Sequence, residues 1–391
     1  MVLVQKPIKS VYLWTNKVRP KQRTFTISRT EESDMSSWWT YSDDAAWLTA
    51  GSTAFDEFFW YSGVRLSTAW VETAEITQTA SGWAWKLNIT SLWTLTSGDN
   101  VMIKFPVRWI KMTKSWSTVT LSITDWLDRE SEWYQYYAHC TWTLSSPWTP
   151  KDAFYLWAYE WSYYDARLKS WSWQSPRTNS TQSVFCTLAK NNGSWYNIIG
   201  FYQRQYINAL YMMKYGNPNS QSVVWQWYVT WNSRPNTWWT NSQTNATYWT
   251  SSSTQQIKLF WLEDWWGNIS EWVWWMYTDG SYQLCTMLTG RSWAVSWWTW
   301  TWTNITGSNE LSSIAGNNKA MFAPTWVVSN SSYNTYYCDR VAIYTSCLAA
   351  VGGSSNYDNA EAGAFWLRAN NRATTENVTI GSRLMYLNWL T

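Results

Sequence analysis

Tryptophan limits what this chain can fold into more than any other feature, because 40 of its 391 residues are tryptophan. Indole side chains are large, so this many must be buried, stacked on other rings or left in contact with water. The same chain holds only 16 glycines, a low share for a globular protein. Adjacent pairs such as Trp38-Trp39 and Trp265-Trp266 make close packing harder still. An ordinary core does not explain this composition.

Several tryptophans occupy positions where a turn favours glycine. Residues 106–124 alternate apolar and polar side chains, which predicts two strands joined by a hairpin. Trp116 lies in that hairpin, where a residue with positive φ is needed and glycine is preferred. Trp225, Trp227 and the pair Trp238-Trp239 lie in segments of loop composition. We hypothesise that many of these positions are UGA codons that the source reads as glycine; the alternative is a truly tryptophan-rich protein.

The remaining composition excludes several function classes. Charged residues make up 14% of the chain and the net charge is +3, without the basic block that a nucleic-acid partner calls for. No apolar run is long enough to span a membrane, and Met1–Pro7 lacks the apolar region of a signal peptide. The five cysteines form no Cys-x-x-Cys pair, so neither a zinc site nor a dense disulfide framework is indicated.

The chain divides into two parts that differ in their pattern of residues. Residues 1–130 show short alternating segments between Ser, Thr and Gly turns, which predicts a β-rich attachment or spacer domain. Residues 131–391 predict an α+β domain with few regular elements and long loops. Its clearest helix covers 201–215, where apolar residues recur at three- and four-residue spacings. Gly216 and Pro218 then end that helix.

The segment 260–273 carries the most specific motif in the chain. With Trp261 taken as glycine it becomes Gly-Leu-Glu-Asp-Trp-Trp-Gly-Asn-Ile-Ser-Glu-Trp-Val. This resembles the Gly-x-x-Asp-x-x-Gly-Asn-x-x-Glu-Trp signature of the formylglycine-generating-enzyme type of C-type lectin fold. The resemblance implies a structural motif formed by Asp264, Trp266, Gly267, Asn268, Glu271 and Trp272.

The polar residues of this motif leave two interpretations open. Asp264, Asn268 and Glu271 offer the hard oxygen atoms that Ca²⁺ prefers. Calcium is therefore possible as a cofactor, although no metal site is indicated. Alternatively, the same side chains hold the turn together internally. Trp266 and Trp272 are expected to anchor a core that has little regular structure.

A second resemblance covers the C-terminal part of the chain. The Gly-rich and apolar pieces Val351-Gly-Gly353, Ala362–Phe365 and Ile380–Leu384 are similar to the variable region of diversity-generating retroelement target proteins. The phage major tropism determinant and phage minor structural proteins are akin to this group. In that family a reverse transcriptase rewrites adenines in a C-terminal repeat. The resemblance implies a C-type lectin fold over residues 131–391, opening near Trp157 (also taken as glycine), and a variable region at about 339–385.

The residues between these fixed pieces are rich in Asn, Ser, Tyr and Asp. Such residues suit an adaptable binding surface, although they also favour turns. We expect the following residues to be exposed, varied and ligand-binding: Asp339, Arg340, Tyr344, Ser346, Ser354, Ser355, Asn356, Tyr357, Asp358, Asn359, Glu361, Trp366 and Arg368.

The resemblance implies a non-enzymatic binding protein on a phage tail or a cell surface. Its partner would be a host-surface protein or a carbohydrate, and a homotrimer would add avidity. The alternatives are a static tail or baseplate component and a formylglycine-generating type of enzyme. For the enzyme, Cys338 and Cys347 lack basic neighbours. The sole histidine, His139, lies in a segment that reads as a strand, so it is expected to be structural.

Overall fold

The computed structural model describes residues 22–31, 39–67, 72–75, 100–126, 130–143, 146–160, 162–171, 174–224, 247, 257–278, 284–286, 299–300, 307–328, 337, 339–344, 349–352 and 362–387. Over these parts of the chain strands predominate, helices are few and the connections are long. The α+β class expected from the sequence is therefore confirmed.

Most strands and helices of the described chain are short, and three of its four helices lie between residues 182 and 223. The strands are β1 (Thr24–Thr30), β2 (Thr40–Asp43), β3 (Ser62–Leu66), β4 (Glu72–Glu75), β5 (Asn100–Pro106), β6 (Trp109–Ser115), β7 (Thr118–Thr124), β8 (Cys140–Thr143), β9 (Ser146–Pro150), β10 (Ala153–Trp157), β11 (Ser162–Tyr164), β12 (Arg167–Lys169), β13 (Tyr196–Ile198), β14 (Lys258–Leu259), β15 (Leu262–Glu263), β16 (Ser270–Val273), β17 (Met276–Thr278), β18 (Leu284–Thr286), β19 (Thr299–Trp300), β20 (Gly307–Ile314), β21 (Pro324–Val328), β22 (Arg340–Ile343), β23 (Ala349–Gly352), β24 (Leu367–Asn371), β25 (Ile380–Gly381) and β26 (Leu384–Leu387). The helices are α1 (Ala54–Phe59), α2 (Gln182–Lys190), α3 (Phe201–Tyr215) and α4 (Ser220–Val223), with single 3-10 turns at Glu130–Glu132 and Tyr137–His139.

Three sheets form the framework. A four-stranded sheet has the order β2-β1-β7-β6, a six-stranded sheet the order β13-β26-β10-β5-β3-β4, and a seven-stranded sheet the order β21-β20-β22-β24-β23-β16-β25. The hairpin predicted over residues 106–124 is the antiparallel pair β6–β7. Ile110, Met112 and Leu121 of that pair are buried, because alternate residues of a strand point to the same side.

Helix α3 lies at the centre of the molecule. It covers the predicted residues, and Gly216 ends it in the left-handed conformation (φ 56°), with its N–H donating to Met212 O at 2.8 Å. The sequence predicts one apolar face, but all fifteen residues of the helix are buried. Charged residues such as Arg204 and Lys214 are therefore inside the protein, and each has an ion-pair partner there.

Packing crosses the boundary that the sequence predicts near residue 130. β5 pairs with β10, so Phe105 lies opposite Phe154 in one sheet. One core cluster runs from Phe25 to Leu387. Glu31, just after β1, accepts hydrogen bonds from Ser313 Oγ (2.7 Å) and the Ile314 amide (3.1 Å), residues of β20. The residues before and after 130 thus share sheets, core and polar contacts.

Tryptophans occupy several left-handed backbone positions. Trp116, with φ 54°, is the first of the two residues that join β6 to β7 and is 98% exposed. Trp60, with φ 55°, is the residue after α1, and Trp261, with φ 66°, is in the two-residue connection between β14 and β15. Glycine is favoured at each of these turns and helix ends. Trp60 and Trp116 are exposed at these positions, whereas Trp261 is buried.

Other tryptophans behave as core residues. Trp266 and Trp272 are fully buried, as predicted from the motif. Trp157 is also buried, in β10, and is not among the described residues with positive φ, so its backbone gives no sign of a need for glycine. The predicted loop tryptophans 225, 227, 238 and 239 lie outside the described residues.

Candidate functional site

The motif of residues 260–273 forms a compact buried centre that ends in β16 of the seven-stranded sheet. Phe260 and Trp261 both have positive φ, which closes the β14–β15 hairpin. Gly267 and Asn268 continue the left-handed conformation at 82° and 56°. This succession of tight turns brings the polar side chains of the motif inward, where they are buried.

Asn268 holds the turn together from within. Its Nδ2 donates to Asp264 Oδ2 at 3.0 Å and to Glu160 Oε2 at 2.6 Å. Glu160, three residues after the end of β10, is fully buried. Burial and the Asp264 carboxylate raise the pKa of Glu160 well above its ordinary value. These contacts are those of the internal-turn interpretation that the sequence left open.

Glu271 is held by two buried arginines. Its Oε1 accepts from Arg383 Nε at 2.7 Å and its Oε2 from Arg204 Nη1 at 2.9 Å. Arg383 also donates to the carbonyl oxygens of Trp157 and Glu263. Both carboxylate oxygens of Glu271 are therefore engaged by guanidinium groups rather than left for a cation. Over the described parts of the chain, no group of three or more His, Cys, Asp or Glu residues is placed to hold a metal ion.

The two arginines of this centre were not predicted as site residues. Arg204 comes from α3 and Arg383 from the residues just before β26, so a distance of 179 positions in sequence separates them. Burial lowers the pKa of Arg204 to about 10, while Glu271 opposes that shift. A buried carboxylate such as that of Glu271 requires a cationic partner. This requirement is the signal by which a buried arginine could have been predicted near Glu271.

Three residues of the predicted binding surface lie close together around β22 and β24 of the seven-stranded sheet. Arg340 is the first residue of β22, Tyr344 follows its last residue, and Arg368 lies in β24 next to Ala342 in the parallel register. Because side chains alternate along a strand, Arg340 and Arg368 lie on the side of the sheet that also carries the buried Ala342, while Val341 and Ile343 point to the opposite side. Tyr344 is 45% exposed, and the two arginines are partly exposed. The Arg368 guanidinium lies 5.2 Å from the centre of the Trp366 ring.

Two members of the predicted surface are buried, and their predicted exposure is wrong. Asp339 is 1% exposed, and its carboxylate accepts a hydrogen bond from the Phe365 amide at 2.6 Å inside the protein. Trp366 is 2% exposed and packs in a core cluster with Trp157 and Trp272. The remaining predicted positions, Ser346, Ser354, Ser355, Asn356, Tyr357, Asp358, Asn359 and Glu361, lie outside the described residues.

The histidine that an enzyme would need is enclosed by the core. His139 ends a 3-10 turn rather than lying in the predicted strand. Its Nε2–H donates to Phe105 O at 3.2 Å, and its ring packs against Phe154 and Tyr206. Burial lowers the pKa of His139 to about 3. These contacts give His139 a packing role, as expected. Cys338 and Cys347 lie outside the described residues.

A small cleft opens beside the candidate surface, between α3 and the residues that lead into β24. Phe201, Phe322, Pro324 and Trp366 are among its lining residues. Asn208 lines it too, but its amide group already bonds to Ala364 O and Trp265 Nε1. The cleft is therefore mainly an apolar surface.

Comparisons with protein-family models and with curated proteins find no match for this chain. Among the described residues, no helix is both long and apolar enough to cross a membrane.

Proposed function

We propose that this protein is a non-enzymatic binding protein that presents an exchangeable set of side chains on a C-type lectin scaffold. The observation that supports this most is that three of the predicted surface residues, Arg340, Tyr344 and Arg368, lie close together around β22 and β24 and are at least partly exposed. A tyrosine offers a large, rigid contact area at low entropy cost. Arginine adds charge and a planar array of donors.

The structure around this face is suited to side-chain exchange. Val341, Ile343 and Ala369 of the same strands are buried and fill the core, so exchange of the partly exposed side chains of Arg340, Tyr344 and Arg368 leaves these core residues in place. The buried Glu271 centre lies in β16 of the same sheet. A scaffold of this kind keeps its backbone while its outer side chains vary.

The proposed partner is a host-surface protein or a carbohydrate, and the proposed location is a phage tail or a cell surface. Assembly as a homotrimer would strengthen weak individual contacts by avidity. A gene for a reverse transcriptase and a near-identical template repeat next to this gene would support diversification. Their absence would favour a static binder or a structural tail component.

A binding screen with matched variants tests the proposed function. The full-length protein is applied to a glycan array and to intact cells of candidate host strains. We expect the triple variant Arg340→Ala, Tyr344→Ala, Arg368→Ala to lose at least about tenfold in affinity for whichever probe binds, since a few central Tyr and Arg contacts supply most binding energy.

The control changes the same residue types at another exposed site. Tyr164 is 48% exposed and Arg167 is partly exposed, both in the β11–β12 hairpin. The variant Tyr164→Ala, Arg167→Ala is expected to bind like the original protein. Equal loss in both variants, or unchanged binding in the triple variant, would contradict the proposed surface.

A further inference from the structure

The segment Ala362–Phe365 is held to the frame through nearly every peptide group. Gln221 of α4 donates through Nε2 to Ala362 O. The Ala364 amide donates to Ser220 Oγ at 3.1 Å, and Asn208 Nδ2 of α3 donates to Ala364 O at 3.0 Å. The side chains of two helices thus fix a short stretch that has no strand partner of its own.

Asp339 completes this arrangement from the other side. It lies just before β22, is buried, and its Oδ2 accepts from the Phe365 amide at 2.6 Å. Gly363 passes so close that a Cβ atom there would lie 2.1 Å from Asp339 Oδ1. Contact this tight requires glycine at 363, because no side chain fits between the backbone and the carboxylate.

The position of Ala362–Phe365 along the chain indicates why fixing this segment matters. It follows directly after the predicted varied residues 354–361 and leads into β24, which carries Arg368. Variation of a loop is tolerated when the points at which it leaves the frame are fixed. Ala362–Phe365 is such a point.

We infer that Asp339 is a positioning residue for the binding face, which fixes Ala362–Phe365 so that the residues before and after it leave the frame at a constant place. Only its consequence for ligand binding rests on the proposed function. The hydrogen bond and the contact with Gly363 stand independently of it. Asp339 therefore acts behind the surface rather than on it.

Hydrogen exchange of the full-length protein tests this role without any ligand. In Asp339→Ala the Phe365 amide loses its acceptor, so we expect amides 363–366 to exchange about tenfold faster. Amides of the distant β6–β7 pair should keep their rates. Asp339→Asn keeps an oxygen at the same reach and should restore slow exchange. Faster exchange throughout the protein, or no rescue by asparagine, would overturn the inference.

A double-mutant cycle with Gly363 supplies an independent test. Gly363→Ala should speed local exchange in the original protein, because the new methyl group meets the Asp339 carboxylate. In the Asp339→Ala background that carboxylate is gone, so the same change should have little further effect. Additive effects of the two changes would show that Asp339 and Gly363 do not act together.

A binding measurement separates this inference from the proposed function. Asp339→Ala is compared with the triple surface variant on the glycan array and host cells. Weaker binding by both supports both proposals. Local loosening without any change in binding would leave the hold on residues 362–365 in place but overturn its role in presenting the binding face.

Discussion

At the residue scale, the tryptophans divide by backbone conformation. Five of the thirteen non-glycine residues with positive φ in the described chain are tryptophan, including Trp60, Trp116 and Trp261. A bulky residue in this conformation costs about 1–2 kcal/mol. Asn and Asp, which tolerate it, fill five more of these positions. Such a preference for tryptophan has no physical basis, whereas glycine would belong at each site.

The glycine hypothesis predicts a division among the codons of the gene. Trp60, Trp116 and Trp261 should be encoded by UGA, while the buried motif residues Trp266 and Trp272 should be encoded by UGG. Sequencing the gene decides this, and mass spectrometry of the protein from its source reports the residue itself. UGG at Trp116 and Trp261 would refute the hypothesis.

Replacing the exposed turn tryptophans by glycine should stabilise this chain. Trp116 is 98% and Trp60 is 65% exposed, so little buried area is lost while strain is relieved. We expect Trp60→Gly and Trp116→Gly each to raise the free energy of unfolding by about 1 kcal/mol in urea denaturation. Trp266→Gly, at a buried site, should instead cost at least about 3 kcal/mol. Destabilisation by Trp116→Gly would contradict the strain argument.

His139 predicts a pH dependence of stability. The pKa of His139 is lowered to about 3 by burial, whereas the unfolded chain binds the proton below about pH 6.5. The stability that the neutral, buried His139 contributes to the folded state is therefore full above pH 6.5 and is lost as the pH falls towards 3. Unfolding measured from pH 7 to pH 4 should lose a few kcal/mol from this group, and His139→Gln should show a shallower slope. Equal slopes would exclude His139 as the cause.

At the element scale, the sequence was most informative where local pattern decides structure. The β6–β7 pair alternates in sequence as it does in space, and α3 shows both its spacing and its glycine stop. The binding-surface prediction failed where long-range packing decides. Aspartate is common in loops, and the sequence therefore predicts exposure for Asp339. In the folded chain Asp339 is buried against Gly363 and Phe365, which are more than twenty positions away in sequence. No local pattern carries that information.

The buried centre formed by β16, α3 and Arg383, just before β26, should be sensitive to loss of its carboxylate. Glu271→Ala leaves the guanidinium groups of Arg204 and Arg383 buried without their shared partner. We expect a loss of about 3–5 kcal/mol in the free energy of unfolding, measured in urea. The matched control is Lys104→Ala, since the Lys104–Glu72 pair is about one-third exposed on each side and should contribute less than about 1 kcal/mol. Similar losses in both variants would contradict this difference.

At the scale of the whole molecule, the described residues form one packed unit across position 130. The residue composition changes near position 130, and from composition alone this change predicts a domain boundary. Pairing and packing are settled by contacts that composition does not encode: β5 lies between β3 and β10, and Lys214 of α3 bonds to Asp56 of α1 at 2.7 Å. Two differently composed stretches therefore complete each other's sheets.

This interlocking predicts that neither part folds alone. A fragment of residues 131–391 would leave the inner edge of β10 unpaired and expose the side of α3 that packs on α1, β1 and β7. We expect it to show no cooperative urea transition by circular dichroism. Mixing it with a fragment of residues 1–130 should restore one, because the missing strands and the partner of Lys214 return together. A sharp transition in the isolated 131–391 fragment would instead establish the boundary at 130 as one between independent domains.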